Sequence, residues 1–213
     1  MIKVYKHLYD SFSRWYHNGS IWFYSDPHFG DEEMKYLRKN YIGDEEQVKS
    51  INSKLGKNDT LIILGDIGNR EYVRQLRGHK ILIMGNHDQG ASNYYRRDGF
   101  LDRLHRGEDG KYHWVDGDNG LFDEVYEGAL FISEKIVLSH EPIDFPYALN
   151  IHGHDHSNLH YQDNLHLNVC AEHIDYKPIC LKQIVESGML KNIPTIHRAT
   201  IDQAIECKKS RLK

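Results

Sequence analysis

Five places along the chain end an apolar run with side chains able to bind a divalent metal. Ile21-Trp22-Phe23-Tyr24 leads into Ser25-Asp26-Pro27-His28, and Leu61-Ile62-Ile63-Leu64 leads into Gly65-Asp66-Ile67-Gly68-Asn69. Lys80 to Met84 leads into Gly85-Asn86-His87-Asp88, Lys135 to Leu138 into Ser139-His140-Glu141-Pro142, and Ala148 to Ile151 into His152-Gly153-His154-Asp155-His156. Oxygen and imidazole donors with no thiolate among them suit borderline and hard ions such as manganese, zinc, iron or cobalt. The donors Asp26, His28, Asp66, Asn86, His140, His154 and His156, with His87 as a further candidate, are too many for one four- to six-coordinate ion. Two ions sharing a bridge are the economical arrangement. A carboxylate can bridge because it offers two oxygens with several lone pairs. Two metals about 3.5 to 4 Å apart clamp both the attacking and the leaving oxygen of an in-line displacement.

These donors need a scaffold that delivers them to one place. Leu61 to Leu64 is an unbroken branched apolar run, too short for a buried helix and closed by glycine, so it reads as a strand covered on both faces. Asp66 then lies just past the strand's carboxyl end, where ligands bind in open α/β sheets. Asp26 and His28 flank Pro27, which fixes the backbone between them. Taken alone, Asp-Pro near Gly30 also reads as ordinary turn chemistry, and it is the recurrence of the device that favours the metal. A helical stretch is expected from Asp31 to about Asn40. A second is expected from Asp44, where Asp44 and Gln47 form a capping box before Val48, Ile51 and Leu55, and a shorter one over Arg70 to Arg77. Strand, helix, strand in this order makes a parallel crossover unit.

After Asp88 the rhythm breaks into a polar, glycine-dotted insertion or lid over about 89–124. It interleaves Tyr94, Tyr95, Arg96, Arg97, Arg103, Arg106, His113 and Trp114 with Asp102, Glu108, Asp109, Asp116 and Asp118. Its mixed charge reads first as a surface loop. Its aromatic and guanidinium groups, Arg96 and Arg97 among them, are also of the kind that stack bases and hold phosphates, which brings in a nucleotide or single-stranded substrate. Short β-like runs return between Phe122 and Cys170 and suggest a second sheet. In the alternating run from Leu165 to Val169, His166 is the outward residue. A helix over Leu181 to Leu190 stops near Gly188, and a modest amphipathic helix over about Thr195 to Lys209 packs on the domain or on another copy. The organisation is therefore an N-terminal extension (1–20), one α/β domain (21–190) and a C-terminal helix (191–213).

A chain of 213 residues at 39% hydrophobic buries one substantial core. With 27 Lys+Arg against 31 Asp+Glu its formal charge is −4, so no global charge marks a nucleic-acid or membrane binder. Three cysteines, Cys170, Cys180 and Cys207, argue against a disulfide scaffold and read as ordinary thiols of a reducing compartment. No signal-peptide core stands at the start, and no run approaches the roughly 20 apolar residues that span a bilayer. The expected location is cytoplasmic, and the oligomeric state is left open.

Taken in order, Asp26-x-His28, Gly65-Asp66, Gly85-Asn86-His87-Asp88, His140 and Gly153-His154-x-His156 resemble the full signature of the calcineurin-like metallophosphoesterases, over about Ile21 to Val185. Phe29-Gly30, Phe122-Asp123-Glu124-Val125 and Tyr176-Lys177-Pro178-Ile179 resemble small prokaryotic and phage members. The resemblance implies a sandwich of two mixed β-sheets flanked by helices. It also implies that Asp26, His28 and His156 bind one ion, that Asn86, His140 and His154 bind a second, and that Asp66 bridges them. A hydroxide held between the ions would attack phosphorus. His87, outside the metal shell, would touch a phosphate oxygen and protonate or orient the leaving group, with Asp88 a candidate to orient His87. Asn69 stands where purple acid phosphatases carry a tyrosine ligand, which speaks against the iron-tyrosinate type. Manganese is the first expectation, with zinc, iron, cobalt or nickel as alternatives.

The expected activity is phosphodiester hydrolysis on nucleotide or nucleic-acid-derived substrates, with Asn86, His87, Arg96 and Arg97 as substrate contacts. The alternatives are a phosphomonoesterase, a nucleotide polyphosphate hydrolase, and a non-enzymatic scaffold, which usually loses ligands. Of the 15 histidines, His7, His17, His79, His105, His113, His160, His173 and His197 lack a supporting motif. His152, next to Gly153, is expected to point away from His154 or to sit behind the ligands.

Overall fold

The computed structural model of the chain describes Trp15 and residues 19–89, 104–114, 121–157, 161 and 163–211. The strands are β1 (Ile21–Tyr24), β2 (Thr60–Ile63), β3 (His79–Ile83), β4 (Leu104–Arg106), β5 (Tyr112–Trp114), β6 (Glu124–Tyr126), β7 (Leu130–Ser133), β8 (Ile136–Leu138), β9 (Leu149–His152), β10 (His166–Asn168) and β11 (Ile179–Cys180). The α-helices are α1 (Met34–Leu37), α2 (Asp44–Lys54), α3 (Arg70–Gln75), α4 (Leu181–Ser187) and α5 (Ile196–Arg211). The first sheet runs β11-β1-β2-β3-β6, parallel except for β11 against β1. The second runs β10-β9-β8-β7, parallel except for β7 against β8. This is the expected sandwich of two mixed sheets with helices outside. Within the stretch expected as an insertion, β4 and β5 form a separate antiparallel hairpin.

Strand alternation builds the core on both faces of the first sheet. Ile21 and Phe23, Ile62 and Leu64, and Ile81 and Ile83 face the second sheet, where they meet Ile136, Leu138, Leu149 and Ile151. Tyr24, Leu61, Ile63, Leu82 and Met84 face the other way, onto Val48 and Ile51 of α2 and Val73 of α3. Trp15, from the stretch set apart as an N-terminal extension, is fully buried in the inter-sheet cluster, and its carbonyl accepts the Thr60 hydroxyl at 2.6 Å.

Three local expectations change. The helix over 31–40 contracts to the single turn α1, because Tyr36 and Leu37 point to solvent and leave it without an apolar face to bury. No capping box opens α2. Gly43 is its N-cap, the Asp44 carboxylate accepts from the Gly30 amide and the Tyr41 hydroxyl, and Gln47 is buried between the Tyr24 hydroxyl and the Pro27 carbonyl. His166 is buried, with Nδ1 2.9 Å from Asp163 and Nε2 3.1 Å from the Ile143 carbonyl. Its strand is an edge, and the segment around Ile143 folds over the face that alternation marks as outward. On α5, Ile196, Ile201 and Ile205 remain exposed. No helix among the described residues is long and apolar enough to cross a membrane.

Candidate metal centre

Because β1, β2 and β3 run parallel, their carboxyl ends share one edge, and the ends of β8 and β9 meet that edge from the second sheet. The connecting turns are stitched together by backbone bonds from Asp26 N–H to the Gly65 carbonyl (3.1 Å), His28 N–H to the Asp66 carbonyl (3.0 Å) and Gly153 N–H to the His140 carbonyl (2.9 Å). Asp26, His28, Asp66 and His154 all adopt left-handed backbone, with φ of 53°, 45°, 54° and 65°. Such conformations cost about 1 to 3 kcal/mol each and persist where the surroundings over-determine them, as at functional sites. A Cβ on Gly153 would collide with Ser25 Oγ and Asp26 Oδ2, so the glycine of the Gly-His-x-His motif lets β9 approach β1.

Asp26, His28 and His156 form one group whose donor atoms lie within 4.8 Å of one another. Asp26 Oδ2 accepts the Ser25 hydroxyl (2.5 Å), the His154 amide (2.9 Å) and the Cys170 thiol (3.2 Å). Its Oδ1 is buried without a hydrogen-bond partner, 3.6 Å from His156 Nε2 and 3.9 Å from His28 Nε2. His28 Nε2 is likewise buried and unpartnered. Buried polar atoms left unpaired are costly, and two that converge on one point fit a cation between them. Burial pushes the His28 imidazole down to about 4, so it is neutral and its lone pair is available at pH 7. Burial alone would raise the Asp26 carboxyl, but His140, His156 and the hydrogen bonds to Oδ2 hold it below its ordinary value.

The second group is Asp66, His140 and His154, joined by Asn86. His140 Nδ1–H donates to the Leu64 carbonyl at 2.8 Å, which turns Nε2 toward Asn86 Oδ1 (2.8 Å) and His154 Nδ1 (3.1 Å), while the latter two are 3.1 Å apart. Around an octahedral ion with bonds of about 2.1 Å, neighbouring donors are spaced by √2 times the bond, about 3.0 Å. These spacings, which are those of hydrogen bonds in the metal-free chain, are also close to those of neighbouring ligands on one such ion. Asp66 stands between the groups. Its Oδ1 accepts the His87 amide at 2.8 Å, and its Oδ2 is 3.6 Å from His28 Nε2 and 3.5 Å from His140 Nε2. Burial pushes its carboxyl up to about 6, only partly offset by His140.

The remaining site residues fall into place as follows. The His87 side chain is largely exposed, with Nε2 4.0 Å from Asp66 Oδ2 and its ring edge-on to His28. Asp88 does not orient the His87 ring: its carboxylate accepts the backbone N–H groups of Asp66, Ile67 and Gly85. His152 is fully buried and donates from Nδ1 to the Gly153 carbonyl, off the site as expected. Arg96 and Arg97 lie outside the described residues. Unforeseen participants are Ser25 and Cys170 on Asp26, and Glu172 and Arg38 behind His156. Ser25 adjoins a motif and was within reach of sequence reasoning. Cys170, Glu172 and Arg38 carry no sequence signal, since only the fold brings them near their partners.

The model of the calcineurin-like phosphoesterases matches residues 19–176. An uncharacterised protein of Methanocaldococcus jannaschii is 27% identical over 191 residues, covering 78% of this chain and 89% of that one. The gene 66 protein of Mycobacterium phage L5 is 37% identical over 83 residues, 32% of this chain and 40% of that protein. Among solved structures, a protein of unknown function from Aquifex aeolicus superposes with a TM-score of 0.56 at 26% identity, covering 79% of this chain and 99% of that one.

Proposed function

Because the chain belongs to the calcineurin-like phosphoesterases, a family of metal-dependent phosphoester hydrolases, we propose that it is a dinuclear phosphodiesterase acting on nucleotide or nucleic-acid-derived substrates. Asp26, His28 and His156 would hold one ion, Asn86, His140 and His154 would hold the other, and Asp66, between the two groups, would serve both. The observation that carries this reading is the single oxygen Asp66 Oδ2, 3.6 Å from His28 Nε2 in one group and 3.5 Å from His140 Nε2 in the other. The donor set is oxygen and imidazole, which suits manganese first.

When bound, two such ions supply a water acidified to near neutral pKa and positive charge for the phosphoryl oxygens. The protein's own groups do the rest. Asp26 and Asp66 each keep one oxygen tied to hydrogen-bond donors and one directed inward, so the inner oxygens are positioned before any ligand arrives. Asn86 belongs to the second group and stands beside the phosphoryl position. His87 reaches over the cluster from the solvent side, holds a phosphoryl oxygen and gives a proton from its ring to the departing oxygen. A diester carries one negative charge shared by its two non-bridging oxygens, and the exposed His87 ring N–H is a fitting donor to one of them. Arg96 and Arg97 would add contacts to the nucleotide.

The test is hydrolysis of bis-p-nitrophenyl phosphate beside p-nitrophenyl phosphate, with manganese and with chelator. Chelator-sensitive cleavage that favours the diester is expected. Preference for the monoester would replace this reading with a phosphomonoesterase or nucleotide polyphosphate hydrolase. No turnover of either under any divalent ion would overturn the enzymatic reading.

A further inference from the structure

One largely buried ion pair lies directly behind the first group of donors. Glu172 uses its two oxygens on different partners. Oε1 is 2.5 Å from His156 Nδ1, and Oε2 is 3.2 Å from Arg38 Nε. Arg38 is itself buried, and its guanidinium also donates to the Asp26 carbonyl at 2.6 Å. The same arginine thus touches the backbone of one donor and the acid that grips another. An ion pair serving only to fasten α1 to the chain after β10 has no need of an oxygen on the imidazole.

We infer that Glu172, anchored by Arg38, is a positioning residue that fixes His156 with its proton on Nδ1 and so dedicates Nε2 to the first metal position. The inference rests on the proposed dinuclear reading. A carboxylate only accepts, so it requires a hydrogen on the nitrogen it faces, and in the neutral ring, the form that binds a metal, the opposite nitrogen keeps its lone pair. That nitrogen, Nε2, is the one 3.6 Å from Asp26 Oδ1. Carboxylates placed this way set the tautomer and ring orientation of metal-binding histidines and raise their basicity, and their loss costs about 10- to 100-fold in affinity. Glu172, His156 and Cys170 also bring donor atoms within 4.8 Å of one another. Oε1 is taken by His156, and Oε2 faces the Arg38 guanidinium as an ion pair without a hydrogen bond, so the acid acts through His156 instead of ligating an ion itself.

Glu172→Gln is the informative variant. Arg38 has only donors, so the amide turns its oxygen to Arg38 and its NH₂ to His156, which stabilises the imidazole with its proton on the wrong nitrogen. Manganese titrated into metal-free protein, with free ion followed by electron paramagnetic resonance, should show two ions bound by the wild type. In Glu172→Gln one of the two should bind about 10- to 100-fold more weakly and the other unchanged. Two affinities within twofold of wild type, with only a lowered unfolding midpoint of the metal-free chain, would overturn the inference and leave the dinuclear reading standing. A wild-type chain that binds no divalent ion would overturn both. Should the variant fail to fold, nitrogen NMR of the zinc-loaded wild type decides: a proton on His156 Nδ1 with zinc on Nε2 supports the inference, and the reverse overturns it.

Discussion

The Asp88 carboxylate accepts the backbone N–H of Asp66 at 2.9 Å, and with the same side chain takes the amides of Ile67 at 3.0 Å and Gly85 at 2.8 Å. One buried acid thereby locks the turn after β2 to the turn after β3. Asp66 and Asn86 stand on those two turns, so their separation is set by a residue that need not touch an ion.

Asp88→Ala is therefore expected to leave three buried N–H groups without acceptors and to lower stability by about 3 kcal/mol or more. Urea unfolding of the metal-free chain checks this. Asp88→Asn, which keeps one acceptor oxygen, should lose less. Equal stability of wild type and Asp88→Ala would show that the turns hold without the clamp.

His87→Ala should lower kcat on the diester by about 100- to 10,000-fold, the range for loss of a general acid. The number of bound metal ions should not change, because the backbone N–H that Asp66 Oδ1 accepts is retained. Loss of an ion in this variant would instead place His87 among the ligands.

Asp66→Asn keeps a residue that tolerates the left-handed backbone and removes a buried charge. Activity should fall by more than ~100-fold, beyond the loss typical of a residue behind a ligand. The sign of its stability effect follows from pKa. The carboxyl is raised in the folded metal-free chain from 3.8 to about 6, so the ionised form is disfavoured by folding, and the native state takes up a proton as pH falls through that window. The variant should unfold at a higher temperature than wild type above pH 6, and the difference should shrink as pH drops from 6 toward 4. A difference independent of pH would rule out burial of the Asp66 charge as its source.

Manganese affinity should fall with pH over the same range, because Asp66 must give up its proton to bind, and so must His140 and His156, whose imidazoles the neighbouring carboxylates hold above their ordinary value. His28, held down at about 4 by burial, stays neutral and contributes little to that slope. Affinity that is flat between pH 7.5 and 5.5 would count against Asp66, His140 and His156 as ligands.

Gly153→Ala should cost at least about 2 kcal/mol, in line with overpacking of a close contact, and should weaken the first metal position by displacing Asp26. The added Cβ meets Ser25 Oγ and Asp26 Oδ2. Calorimetric metal titration alongside thermal unfolding reads both effects, and a variant with wild-type metal binding would show that β9 moves away freely.

The sequence by itself determined which strands form and what stands at their ends. Short, largely unbroken apolar runs closed by turn residues specify β1, β2, β3, β8 and β9 locally, and parallel pairing then carries Asp26, Asp66, Asn86, His140 and His154 to one edge. Only the tertiary structure decided which atom of each side chain faces inward, because that depends on partners far along the chain. Asp26 Oδ2 is taken by Cys170, 144 residues away, and His140 Nδ1 by the Leu64 carbonyl, 76 residues away. The same holds for Gln47, legible as a helix cap yet drawn into the core by Tyr24, and for His166, outward by alternation yet covered by the segment around Ile143. Glu172 and Arg38 belong to this second kind. Hydrophobic period and turn chemistry are local and can be read along a chain. Hydrogen bonds that choose an oxygen or a tautomer are made between distant segments, and they exist only once the sheets have packed.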